Sequence, residues 1–272
     1  MSQVQRVLER ARTAGRPSLV SYVTAGIRPD WTDLLAAMIE AGADAVEIGL
    51  PFSDPMLDGP VIQRASGAAI SRGANTTAIL AELRRARPRG GRDGAVPLIA
   101  MSYANHAYHR GIARYCDELA GAGFSGTIIP DLPAGEADEY LAAAAGAGLD
   151  ATLMVTPATP PGQMRAIARR SRGFLYVMSV MATTGSTNER DDERRWALAA
   201  RALGVADTRP DRTPPVLIGF GIDTPARAAA AARHADGVIV ASALMRRVLD
   251  GAGASEIARA VGDLRTAIDT AR

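Results

Sequence analysis

Glu47-Ile-Gly-Leu-Pro-Phe-Ser-Asp-Pro-Met-Leu-Asp58-Gly-Pro60 joins an apolar strand pattern, which begins at Asp44, to amphipathic helical spacing, which begins at Val61. The segment has one carboxylate in the strand and a second one on a loop that three prolines restrict. Two acids placed in this way can exchange protons with a molecule bound between them. The stretch therefore predicts a strand–loop–helix unit and an acid–base site.

The same order of strand and helix recurs along the chain. Eight short apolar runs predict strands over residues 18–24, 44–50, 97–102, 125–130, 150–155, 174–179, 215–219 and 236–241. Helical spacing separates them, including one stretch over 61–87, one around 112–122 and one over 135–147. Continuous apolar strands that alternate with helices indicate a parallel sheet, and eight even repeats favour a closed (β/α)8 TIM barrel over an open doubly wound sheet.

The 272 residues fit a single barrel domain. We expect residues 1–272 to form this domain, with an additional helix at the N-terminus lying across one end and a short helix after the eighth strand. No apolar run approaches the roughly 18 residues that span a membrane. The N-terminus also lacks the apolar segment of a signal peptide, so we expect a cytoplasmic protein.

Composition excludes several kinds of chemistry. The net charge of +2 is too small and dispersed to indicate a nucleic-acid partner. The chain contains no lysine, so it cannot by itself form a Schiff base with a substrate or attach pyridoxal phosphate covalently. Its three histidines, His106, His109 and His234, do not suggest a zinc site. Cys116 stands alone in a helical pattern and reads as a small buried residue.

In a TIM barrel the active site lies at the carboxyl ends of the strands. Polar residues that fall there are Glu47, Asp58, Asn105, Asp131 and Tyr176. For each of the two acids, a purely structural role without catalysis remains possible at this point. Glu47 could point outward toward a helix, since both faces of a barrel strand are covered, and Asp58 could serve only to form the turn at Gly59-Pro60. An inward Glu47 would have a raised pKa and could donate a proton.

Three loops predict a phosphate site. Gly219-Phe-Gly-Ile222 follows the seventh strand, and Ala241-Ser242 begins the short helix after the eighth, which are the places where barrels commonly hold phosphate. Thr184-Gly185, after the sixth strand, could add a backbone donor. The alternative is that Gly219 and Gly221 only permit a tight turn.

These segments together resemble the tryptophan synthase α subunit family. The resemblance rests on residues 43–63, which include the opening stretch, and continues through Tyr103-Ala-Asn105, Pro130-Asp-Leu-Pro133, Gly173-Phe-Leu-Tyr176, Thr184-Gly185, Gly219-Phe-Gly-Ile222 and Ser242-Ala. It covers nearly the whole chain in order. It implies a lyase of tryptophan biosynthesis that cleaves indole-3-glycerol phosphate into indole and glyceraldehyde 3-phosphate by a retro-aldol reaction, without metal or cofactor.

The resemblance also implies roles for individual residues. Glu47 would protonate indole C3 and handle the glycerol hydroxyl proton, Asp58 would interact with the indole N–H, and Tyr176 would help to position the acids. Tyr22, Met101, Ile128 and Phe220 would flank the indole. The phosphate would bind to Gly185, Gly221, Ala241 and Ser242, and Asp54, Pro55, Asn105 and Thr184 would belong to the loops that face the partner.

That implied partner is a pyridoxal-phosphate β subunit, in an αββα heterotetramer. Several positions depart from the family pattern. Ala182 and Ala241 stand where most members have glycine, Thr183 stands where most have valine, and Ile27 stands where many members have an acid. Two other functions remain possible from the sequence: a stand-alone indole-releasing paralogue of a specialised pathway, or a weakly active regulatory subunit that activates a β partner.

Overall fold

The computed structural model describes residues 3–86, 96–178, 198–199, 201–202, 204, 214–219 and 221–271, and its centre is a closed barrel of eight parallel strands. The strands are Ser18–Thr24 (β1), Ala45–Gly49 (β2), Leu98–Met101 (β3), Gly126–Ile128 (β4), Asp150–Val155 (β5), Leu175–Met178 (β6), Val216–Gly219 (β7) and Gly237–Val240 (β8). Each strand pairs with the next, and β8 pairs with β1. The predicted TIM barrel is confirmed, and an open sheet is excluded.

Helices surround this barrel. They are Gln3–Thr13 (α1), Trp31–Glu40 (α2), Pro60–Ser71 (α3), Thr76–Ala86 (α4), Ala104–Arg110 (α5), Ile112–Gly121 (α6), Asp138–Gly146 (α7), Pro161–Arg170 (α8), Pro225–Ala232 (α9), Ser242–Leu249 (α10) and Ala254–Asp269 (α11). Cys116 is buried in α6, as predicted. Among the described residues, no helix has the length and apolar character needed to cross a membrane.

The helical material predicted over about 61–87 is confirmed, and a turn that the sequence pattern did not show divides it into α3 and α4. Gly73 adopts a φ of 85° just after α3, a conformation that only glycine reaches at low cost. Asn75 then caps α4, since its Oδ1 accepts a hydrogen bond of 3.0 Å from the backbone N–H of Ala78. The apolar periodicity continues across this short turn, which is why the sequence pattern concealed it.

Helix α1 lies across one end of the barrel, as the sequence predicted, and that end is the amino end of the strands. Its Val4 side chain lies over Gly126, where an added Cβ would come within 3.1 Å of Val4 Cγ2. The backbone N–H of Gln5 donates to Asp150 Oδ2 at 3.2 Å. Gly126 and Asp150 are the first residues of β4 and β5, so α1 covers the end of the barrel opposite to the carboxyl ends of the strands.

Strand register decides which side chains point into the barrel. Tyr22 pairs with Glu47, and Met101 pairs with Ile128. When the pairing is followed from strand to strand, from β1 to β6, Tyr176 projects to the same side of the sheet as these residues. Paired residues of neighbouring parallel strands project to the same side of a sheet. Tyr22 and Tyr176 lie on strands that are not neighbours, yet their hydroxyls interact electrostatically. The side they share is therefore the barrel interior.

Candidate active site

Glu47 is a buried carboxyl group in the interior. It is 1% exposed, and its Oε2 has no hydrogen-bond partner within the described part of the chain. Burial, and after it the negative charge of Asp58, raises the pKa of Glu47 from 4.5 to about 8. Glu47 is therefore protonated at neutral pH and can act as a general acid. The outward orientation that the sequence left open does not occur.

Asp58 reaches the same region from the loop between β2 and α3. Its backbone N–H donates to the Pro55 carbonyl at 3.0 Å, and its own carbonyl accepts from Gln63 Nε2 at 2.9 Å. The backbone of Asp58 thus does form the turn before Pro60. Its side chain has a second task, because the Tyr103 hydroxyl donates to Asp58 Oδ2 at 3.0 Å.

The two carboxyl groups differ in protonation state. Burial raises the pKa of Asp58 from 3.8 to about 6, while the hydrogen bond from Tyr103 opposes that rise. Between these two pKa values Asp58 is ionised and Glu47 is neutral. Paired carboxyl groups whose pKa values are separated in this way can act as an acid and as an electrostatic stabiliser.

Two interior tyrosines lie over glycines at the carboxyl end of the barrel. A Cβ at Gly49 would come within 1.9 Å of the Tyr22 hydroxyl, and one at Gly219 within 2.2 Å of the Tyr176 hydroxyl. In each case the glycine lies on the neighbouring strand, two residues beyond the residue that pairs with the tyrosine. Both rings therefore lean along the barrel toward the carboxyl ends of the strands. Burial and the charges of Glu47 and Asp58 keep the pKa values of both hydroxyls well above normal, so the tyrosines remain neutral.

Gly49→Ala is expected to displace Tyr22, which lies beside Glu47 on the adjacent strand, and so to disturb the site. The added methyl group cannot fit beside the hydroxyl, so we expect a loss of stability of about 1–3 kcal/mol together with a fall in kcat/KM. Urea unfolding and steady-state kinetics measure both effects. Gly67→Ala on the exposed face of α3, where a Cβ would meet nothing within 4 Å, is the matched control. Equal behaviour of the two variants would contradict the close contact.

The predicted apolar wall shares the interior with the acids. Met101 and Ile128 are paired on β3 and β4 and are buried, and Met101 also pairs with Gly49 on β2. Tyr22 lies next to Glu47 on the adjacent strand. Three of the four residues expected to flank an indole therefore share the barrel interior with Glu47, and Phe220 lies outside the described residues.

The predicted phosphate loops lie at the carboxyl ends of β7 and β8. Gly221 has a φ of 73°, which a side chain would oppose. Ala241 precedes Ser242, the first residue of α10, and its φ of −114° is unstrained for alanine. The first N–H groups of a helix have no partner within the helix and favour an anion. Thr184, Gly185 and Ala182 lie outside the described residues.

The residues expected to face a partner are divided between surface and interior. Asp54 and Asn105 are exposed, whereas Pro55 is buried and uses its carbonyl to hold the loop. Asp131 lies nearby and accepts a hydrogen bond of 2.8 Å from the Ala104 N–H at the start of α5. Within the described residues, no three His, Cys, Asp or Glu side chains form a cluster that could hold a metal ion.

The sequence did not indicate the roles of two residues of this site, Tyr103 and Gly49. Tyr103 appeared only as part of a resemblance, and its bond to Asp58 joins loops that are 45 positions apart. Gly49 lies in the strand–loop segment that begins at Glu47, but the sequence indicated no role of its own for it. Its contact with Tyr22 follows only from the strand register. The role of Gly49 does have a sequence signal. An interior tyrosine that leans over the neighbouring strand requires a small residue there, two positions beyond the residue with which the tyrosine pairs.

A TIM barrel whose carboxyl end holds one neutral and one ionised carboxyl group defines an acid–base enzyme. Comparison with known proteins identifies the enzyme family that the chain resembles. The family model described as tryptophan synthase alpha chain matches residues 8–268. The alpha chain of Geobacter sulfurreducens is 38% identical over 271 residues, covering 98% of each chain, and that of Chloroflexus aurantiacus is 40% identical over 254 residues, covering 91% of this chain and 90% of that one.

Solved structures agree with this comparison. A structure of Mycobacterium tuberculosis tryptophan synthase superposes with a TM-score of 0.85 at 32% identity, covering 98% of each chain. The alpha chain from Legionella pneumophila gives a TM-score of 0.83 at 30% identity, covering 99% of this chain and 98% of that one. The chain belongs to the tryptophan synthase alpha chain family, a family of lyase subunits of tryptophan biosynthesis.

Proposed function

We propose that this chain cleaves indole-3-glycerol phosphate to indole and glyceraldehyde 3-phosphate by an acid–base retro-aldol reaction, and that residues 1–272 do so as one cytoplasmic barrel domain. The observation that carries the proposal is the pair of carboxyl groups at the barrel end, of which Glu47 is protonated and Asp58 ionised near neutral pH. The reaction needs both a proton donor and an anion, and family membership makes this substrate the natural choice.

Glu47 carries the proton in both halves of the reaction. It first transfers its proton to indole C3, which turns the ring into an iminium ion that can accept electrons. The Glu47 carboxylate then removes the proton from the hydroxyl group next to the scissile bond. As the C–C bond breaks, its electron pair neutralises the iminium, so indole and the aldehyde form and Glu47 is again protonated. The unpartnered Oε2 supports this role.

Asp58 stabilises the positive charge that develops on the indole N–H during the first transfer. Tyr22, Met101, Ile128 and Phe220 hold the ring, and Tyr176 limits where Glu47 can move. The phosphate binds to backbone N–H groups of Gly185, Gly221, Ala241 and Ser242. The first turn of α10 is tied to the barrel, because the Thr24 N–H on β1 donates to Met245 Sδ at 3.3 Å.

The chain would need no cofactor of its own, and the lack of lysine agrees with this chemistry. We propose that its partner is a pyridoxal-phosphate β subunit that takes up the indole, in an αββα assembly. Exposed Asp54, whose loop Pro55 supports, and exposed Asn105 on α5 would face that partner, together with Thr184, which follows β6 in the sequence. The β subunit would supply the lysine that this chain lacks.

Indole release by the purified chain, alone and with a β subunit, tests the proposal. We expect release by the chain alone and a higher rate in the complex. A high rate that a β subunit does not change would indicate the stand-alone enzyme instead. No release in either state, together with activation of the β reaction, would indicate a regulatory subunit and would overturn the proposed lyase activity.

The pH dependence of kcat/KM is expected to be bell-shaped. Activity needs ionised Asp58, so it falls as the pH drops through about 6, and it needs protonated Glu47, so it falls as the pH rises through about 8. The measurement is kcat/KM for indole release from pH 5 to 9, in overlapping buffers at constant ionic strength. A flat profile over this range would contradict the assignment of the two acids.

A further inference from the structure

The Tyr103 hydroxyl makes hydrogen bonds to two neighbouring residues of the loop after β2, Leu57 and Asp58. Its hydroxyl donates to Asp58 Oδ2 at 3.0 Å and accepts from the backbone N–H of Leu57, also at 3.0 Å. A phenol has one proton, and here the peptide N–H supplies the other hydrogen bond. The phenol proton is therefore directed to the carboxylate, and the two bonds together fix the carboxylate relative to its own backbone.

The Tyr103 ring is itself held in place. It is 3% exposed and stacks on Phe52, with ring centroids 5.0 Å apart and planes inclined by 20°. Phe52 in turn makes a T-shaped contact with the His106 ring, with ring centroids 5.3 Å apart and planes inclined by 77°. Tyr103 thus links the start of the loop after β2, where Phe52 lies, to its end at Asp58.

The backbone around Tyr103 is anchored on both sides. The N–H of Ser102 donates to the Ile128 carbonyl at 3.1 Å, and its hydroxyl is paired with that of Tyr115. The N–H of Ala104 donates to Asp131 Oδ1 at 2.8 Å. Tyr103 is therefore a fixed point on the barrel, whereas Asp58 belongs to a loop without regular structure.

We propose that Tyr103 is a positioning residue for Asp58: it holds Oδ2 of the carboxylate and thereby leaves Oδ1 to meet the substrate. This inference rests on the proposed function, in which Asp58 faces the indole N–H. Asp58 alone, on its loop, could rotate away from a developing cation. With Oδ2 bound, the remaining oxygen keeps one direction through the reaction.

The hydrogen bond also favours the charged form of Asp58. Among the described residues, the titratable groups that act on this part of the site are Glu47 on β2, Tyr22 on β1, Tyr176 on β6 and Tyr103 itself, and Asp131 acts on Tyr103. Of these, Tyr103 is the group that lowers the pKa of Asp58. Burial raises the pKa of the Tyr103 phenol, so it remains a donor over the working pH range.

Tyr103→Phe removes the hydroxyl and keeps the ring that stacks on Phe52. A hydrogen bond to a charged group contributes enough that we expect kcat for indole release to fall about 10–100-fold, with KM changed by less than about 3-fold. Because the bond lowers the pKa of Asp58, its loss should move the acidic limb of the pH profile to higher pH. Tyr108→Phe, at an exposed tyrosine on α5, is the matched control and should behave like the wild type.

A double-mutant cycle separates positioning from general damage to the fold. In an Asp58→Asn background, Tyr103→Phe should cost far less activity than it does alone, because the charged acceptor is gone. An unchanged kcat and acidic limb in the single variant, or full additivity in the cycle, would overturn the inference. If Tyr103→Phe does not fold, Phe52→Leu loosens the ring without removing the hydroxyl, and a kcat unchanged there would also overturn it. Loss of indole release in the wild type itself would instead contradict the proposed function.

Discussion

Glu47→Gln is expected to lower kcat for indole release by about 10³-fold or more while the barrel remains folded. General acid–base catalysis typically contributes about 10²–10⁴-fold, and Glu47 is assigned both proton transfers of the reaction. Glutamine has nearly the same size but cannot give up or accept the proton. Binding should survive, because the residues proposed to hold ring and phosphate are unchanged. The measurements are kcat for indole release and the affinity for a non-cleavable analogue. Retained turnover would contradict the assignment.

The stability of this variant provides an independent test of the buried acid. Between pH 4.5 and about 8 the folded protein keeps a proton on Glu47 that the unfolded chain has released. Wild-type stability should therefore decrease through this window, by up to about 1.4 kcal/mol per pH unit from this one group. The Gln variant lacks this decrease, so it should equal the wild type near pH 4 and exceed it above pH 8. Glu139→Gln on the exposed side of α7 is the control and should show no such divergence.

Sequence periodicity was sufficient for the barrel because each strand is short, apolar and followed by a helix. β1 and β5 occupy the predicted ranges without change, and the other strands differ only at their ends. Helix α5 was not predicted, since only Ala104 and Ala107 are buried in it and no apolar stripe marks it. The hydrogen bond from its first residue to Asp131 is a contact between distant segments that no local pattern reports.

The acids were identifiable as candidates, but their properties were not. A strand buried on both faces gives no period-two pattern, so only the pairing of Tyr22 with Glu47 shows that Glu47 points inward. The raised pKa of Glu47 depends first on burial and then on Asp58, and both follow from the closed barrel. The turn-forming role considered for Asp58 proved to be true of its backbone, while the role of its side chain depends on Tyr103.

Asp58→Asn is expected to lower kcat by about 10²–10³-fold, the range seen when a preorganised electrostatic group is removed. Asparagine keeps the shape of the side chain and can still accept a hydrogen bond from Tyr103, so the loop should remain in place. What is lost is the negative charge opposite the developing iminium. The variant has a second, independent signature, because Asp58 is one of the two causes that raise the pKa of Glu47.

Removing that charge should lower the pKa of Glu47 below its wild-type value of about 8, without returning it to normal, because burial is the larger cause. The basic limb of the kcat/KM profile should therefore move to lower pH in Asp58→Asn, and the acidic limb assigned to Asp58 should disappear. Asp33→Asn, on the exposed side of α2, should change neither limb. A loss of rate with both limbs unmoved would mean that Asp58 supports the loop and does not act through its charge, and the acid pair would then be the wrong description of this site.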